Sequence, residues 1–173
     1  RSVRFLELFP QTEKLSYEKF KQIKFDLQLP ATMQYPYKLD SMFVLNENEY
    51  PAIAAVISSF KKWDKRGDAD SKGAAIFLLT YEYLKKRLQG QAPRLITRQE
   101  AIETYTHVNN YMQTHFGTTD LKLGDIQKLV RGGKDWPLAG FPDLLSPQWT
   151  ADYYNGRLKS IGGDGLIMRS EER

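Results

Sequence analysis

Apolar residues recur at helical spacing through most of the first 120 positions. Val3, Leu6 and Phe9 stand three apart, and Pro10 closes the helix they predict over 1–9. Ser16 predicts the cap of a second helix, with Glu18 in its first turn, where a carboxylate suits the dipole. Phe20, Ile23, Lys24 and Leu27 follow at helical spacing, and Pro30 ends the run. Positions 29–48 are less regular: prolines interrupt them, yet SMFVL is apolar, which fits a short helix or a packed loop. Met33, Tyr35, Tyr37 and Met42 in that segment read as core residues before they read as a substrate-facing wall. Tyr50, Ile53, Ala54, Ile57 and Phe60 predict a helix over 47–62, with Pro51 in its first turn. Ala74, Phe77, Leu78, Tyr81 and Leu84 predict another over 71–88, capped by Asp70 and closed by Lys85, Lys86 and Arg87 at the negative end of the dipole. Thr97 and Glu100 make a capping box for the next helix. Its stripe is Ile102, Tyr105, Val108, Asn109 and Met112, and Gly117 stops it.

Beyond 120 the pattern changes. Leu123, Ile126, Leu129 and Val130 predict one more short helix, with Gly132-Gly133 as its stop. The next run, KDWPLAGFPDLL, has the glycine and prolines of a loop but carries Trp136, Leu138, Phe141, Leu144 and Leu145. Loops are normally polar because their backbone groups face water. So apolar a loop is expected to lie as a packed belt, with Trp136, Leu138 and Phe141 buried. Residues 157–160 and 166–168 read as short strands around Gly162-Gly163-Asp164-Gly165. The expected fold is mainly α: a helical, bundle-like part over 1–120, then 121–173 with a short helix, the apolar belt and a small β-hairpin, all in one structural unit. The chain starts inside an amphipathic run and stops on a charged one, so both ends read as cut from a larger protein.

Charge and composition narrow the chemistry. Net charge is +4 with the signs interspersed, so no basic block argues for nucleic acid, and that reading rests only on the pI near 9.1. The absence of cysteine excludes disulfides and thiolate metal sites but does not fix the compartment. No run of eighteen apolar residues is present, and no membrane partner is expected. Asp64, Asp68 and Asp70 are spaced suggestively for Ca²⁺. A calcium loop would need a bidentate acid near its twelfth position, where Ala75 and Ile76 stand, so turn-making and capping explain these acids better. His107 and His115 are eight residues apart on one helix, a turn of about 80°, without an acid to orient them. The GGDG run lacks the Lys-Ser/Thr and following helix of a phosphate loop. No cofactor or metal is expected.

One stretch carries a resemblance. GDIQKLVRGGKDWPLAGFPDLL is similar to the C-terminal part of the catalytic subunit in the penicillin acylase family, which includes acyl-homoserine-lactone acylases and other N-terminal-nucleophile amidohydrolases. Trp63-Asp64 followed by Asp68 and Asp70 resembles that family's helix-to-helix connection, and the Gly-Asp turn at 163–164 its entry into a strand of the central sandwich. Gly165 and Arg169 depart from the pattern, which usually has Ser after the Asp and apolar residues beyond. The resemblance spans essentially the whole chain. It implies a fragment of an αββα hydrolase that cleaves a linear acyl amide, such as an acyl-homoserine lactone or a β-lactam side chain. A Ser freed by autoproteolysis would attack the acyl carbonyl with its own amine as base, and backbone and Asn donors would hold the oxyanion. By spacing, Arg1 matches the family arginine that supports the oxyanion side. The nucleophile has no counterpart in this chain, so the fragment itself is expected to be inactive. The implied partners are the rest of the catalytic subunit, the parent's α subunit and a small acyl-amide substrate, in the periplasm or outside the cell. The alternative from another class is a non-catalytic helical protein-interaction module, which the lack of a convergent acid–base set also fits.

Overall fold

A computed structural model describes residues 2–9, 14–31, 33, 38–88, 91, 94–141, 149–154 and 157–162. The chain is mainly helical. Its α-helices are α1 (Ser2–Leu8), α2 (Tyr17–Lys24), α3 (Ala54–Lys61), α4 (Lys72–Arg87), α5 (Arg98–Phe116) and the single turn α6 (Leu123–Ile126). Short 3-10 turns over Leu39–Val44, Glu47–Glu49 and Pro51–Ile53 lead into α3. The helix expected over 47–62 therefore begins as two tight turns, with Pro51 at the start of the second.

The caps act where the sequence places them, with one shift. Ser16 Oγ accepts the Lys19 N–H at 3.2 Å. Thr97 and Glu100 form the full capping box, and Gly117 ends α5 in the left-handed region at φ 72°. Helix α4 is capped by Ser71, whose Oγ accepts the Ala74 N–H at 3.2 Å, and not by Asp70.

Helices α3, α4 and α5 pack around one core. Val56, Ile57, Phe60, Ala74, Ile76, Leu84, Tyr105, Val108 and Met112 are fully enclosed there. Met33 and Met42 belong to it, which settles segment 29–48 as core packing at those two positions; Tyr35 and Tyr37 lie outside the described residues. Tyr105 donates its hydroxyl to the Met42 carbonyl at 3.1 Å, and burial pushes its phenol pKa up. The two leading helices depart from expectation. In α1, Leu6 is exposed. Helix α2 stops at Lys24, well short of Pro30, and Ile23 is its one buried residue, while Phe20 lies in water. Arg4 joins α1 to the end of α2 through Asp26 at 2.8 Å.

The largest correction falls on 121–141. The predicted helix lasts only through Ile126. Residues 128–131 form strand β1 (Lys128–Arg131), paired antiparallel with β2 (Lys134–Pro137) in the register Leu129↔Trp136 and Val130↔Asp135. Gly132 and Gly133 both have positive φ, 54° and 75°, so they make the two-residue turn of a β-hairpin and do not stop a helix. Trp136 consequently stands on a strand, 45% exposed, and is no part of a buried belt. Leu138 is half-buried and Phe141 buried. Leu144 and Leu145 lie outside the described residues. A second hairpin pairs β3 (Trp149–Tyr154) with β4 (Arg157–Gly162), in register Tyr154↔Arg157 through Trp149↔Gly162. The strand expected over 157–160 is thus present, with an upstream partner in 149–154; 166–168 lies outside the described residues.

Candidate functional site

Two of the stretches that carry the family resemblance, 63–70 and the described part of the longer motif, 124–141, meet; the turn at 163–164 lies outside the described residues. The loop after α3 is the hub. Its Asp64 accepts the Arg66 N–H at 2.9 Å, and Arg66 turns back on Asp68 at 2.8 Å. Lys65 is the one non-glycine residue with positive φ among those described, at 63°. A left-handed residue with a Cβ costs about 1–2 kcal/mol, and neighbours hold it there. The Leu29 N–H bonds the Lys65 carbonyl at 2.9 Å, and Lys65 Nζ bonds the Ala31 carbonyl and lies over the Phe43 ring. Gln28 Nε2 donates to the Asp64 carbonyl, and the Gly67 N–H donates to Leu27.

Residues 123–141 dock on the other side of this loop through backbone bonds. The Leu123 N–H donates to the Ser71 carbonyl at 3.0 Å, Gly124 to Ala69 at 2.7 Å, and Gly140 to Gly67 at 2.6 Å. Approach this close excludes side chains. A Cβ on Gly124 would lie 3.1 Å from the Ala69 carbonyl oxygen, as well as 2.6 Å from Pro137 Cβ within its own stretch, and one on Gly67 2.9 Å from the Phe141 ring. Phe141 then enters an aromatic nest, edge-on to Phe77 at 4.9 Å and to Trp63 at 6.2 Å between centroids. Trp63 donates its Nε1–H to the Arg66 carbonyl at 2.7 Å, so the same indole closes the loop and receives the belt.

Gln127 is the member that sequence reasoning missed. It is buried, its Nε2 donates to the carbonyls of Leu138 at 3.3 Å and Gly140 at 3.1 Å, and its own carbonyl accepts the Leu138 N–H. It straps the belt to α6. Nothing in a lone Gln between a helix and a strand signals that role. Its Oε1 is buried and has no partner in the structure.

Other chemistry-bearing residues do not converge on this junction. Arg1, the expected oxyanion support, lies outside the described residues. Asp64 and Asp68 are engaged by Arg66, and no group of three or more His, Asp or Glu among the described residues could hold a metal. His107 stacks on Tyr83 at 4.2 Å, and Tyr111 lies tilted between the two histidines, 6.4 Å from His107 and 4.3 Å from His115, so they are joined through an aromatic ladder along α5. Partial burial, with Lys86 nearby, pulls the His107 pKa down. Glu100 is held to about 2 by the Arg94 guanidinium and the Thr97 donors. It serves the cap of α5. A cleft of about 230 Å³ lies apart, between Ser41, Leu45, Asn46, Glu49, Ile96 and Arg98. Arg98 is already paired there with Glu49 and Tyr50. No described helix is long and apolar enough to cross a membrane. No family model, curated protein or solved structure matches the chain.

Proposed function

We propose that this chain is the C-terminal part of the catalytic subunit of a penicillin-acylase-type amidohydrolase, acting on a linear acyl amide. The observation that carries the reading is the junction. Two stretches some fifty residues apart in sequence resemble separate parts of that family, and they pack on one another through two backbone hydrogen bonds, Gly124 to Ala69 and Gly140 to Gly67, and an aromatic nest. The first glycine of the longer motif, Gly124, stands where a side chain would collide with Pro137 and the Ala69 carbonyl, so that position has a packing reason. The chain's part is then mechanical. It is a helical buttress for the catalytic sandwich, and 123–141 is its clamp. The Ser nucleophile, its amine base and the oxyanion donors belong to the preceding part of the parent, with Arg1 as this chain's one candidate contribution.

The experiment is reconstitution. Phenylacetyl and long-chain acyl amides should survive incubation with this chain alone, because acyl transfer needs an activated nucleophile, a base in reach and oxyanion donors. Hydrolysis should appear when the upstream part of the parent is supplied and vanish when that part's N-terminal Ser is replaced. Turnover by the chain alone, abolished by Ser2→Ala, would overturn the reading. The second reading, a non-catalytic interaction module, draws on the exposed aromatic face of α2. It predicts an upstream reading frame without a spacer and nucleophilic Ser.

A further inference from the structure

We draw no further inference here: the strongest candidate, the cleft between the 3-10 turns and the start of α5 lined by Ser41, Leu45, Asn46, Glu49, Ile96 and Arg98, carries nothing because its two charged side chains, Glu49 and Arg98, are already engaged with one another and nothing in the structure shows what would occupy it.

Discussion

Replacing Gly73 with Ala tests the contact between the start of α4 and Trp63, just after α3, at its tightest point. Alanine is the better helix former, and the swap would ordinarily add about 0.5–1 kcal/mol to a helix interior. Here the new methyl would lie 2.2 Å from Trp63 Cβ, 2.4 Å from Cγ and 2.7 Å from Cδ1. Comfortable carbon–carbon contact needs about 3.5–4.0 Å, so α4 and the end of α3 must separate by more than 1 Å at this point, as the numbers above require. Trp63 has little room to yield. Its ring packs on Phe77 at 4.9 Å and Phe60 at 5.7 Å, meets Phe141 edge-on, and its Nε1–H is bonded to Arg66. Overpacking a filled core costs about 1–3 kcal/mol and occasionally more, and loosening the Arg66 bond adds about 1 kcal/mol. After subtracting the helix gain, Gly73→Ala should destabilise the chain by about 1–3.5 kcal/mol. For a chain of this length that corresponds to a fall in Tm of roughly 2–14 °C. Thermal unfolding followed by far-UV circular dichroism and by tryptophan fluorescence measures it. Gly117→Ala is the internal control. Its added methyl meets nothing within 4 Å, and only the positive φ of 72° is strained, so its cost should stay at about 1 kcal/mol. If Gly73→Ala is as stable as the parent, the contact between Trp63 and α4 is not rigid and this packing account fails.

Two further predictions follow from neighbouring features. Phe141→Ala should cost about 3–5 kcal/mol in urea unfolding, the usual range for a buried phenylalanine, while Trp136→Ala, on an exposed strand, should cost less than about 1 kcal/mol; the reverse order would return Trp136 to the core. Glu100 is held at about 2 in the fold against 4.5 ordinarily, so the stability it contributes is fully present above pH 4.5 and is lost as pH falls toward 2. With Arg94 partly in water, that contribution should be about 1–2 kcal/mol. Glu100→Gln should flatten the acid limb of the stability curve over this window, and an unchanged limb would refute the cap's electrostatic role.

Helix existence was legible in the residues because its signals are local. The Thr97–Glu100 box, the Ser16 cap and the stripe from Ala74 to Leu84 each lie within a few turns of chain, and each acts as read. The cap of α4 was misread by one position, because Asp70 and Ser71 are both good caps and only the backbone path chooses between them. The stretches that carry the resemblance were visible as strings of Trp, Asp, Gly and Pro, but nothing in the strings said that they touch.

What the sequence determined by itself is the helical majority, the capped ends of α2 and α5, and the core stripes of α3, α4 and α5. Tertiary structure alone decided whether the later stripes faced a partner. Leu123, Ile126, Leu129 and Val130 satisfy a helical period as a string, yet cross-strand pairing through the Gly132-Gly133 turn draws 128–131 into a hairpin and leaves Trp136 facing water. Phe20 has the spacing of a core residue, yet it is left 45% exposed. Gln127 has no distinguishing neighbours in sequence and becomes a strap only because the carbonyls of Leu138 and Gly140 return to it from eleven and thirteen residues away. The physical reason is the same in each case. A cap or a stripe is fixed by dihedral preference and spacing over a few residues, whereas burial and hydrogen-bond partnership depend on what the rest of the chain brings to the other side.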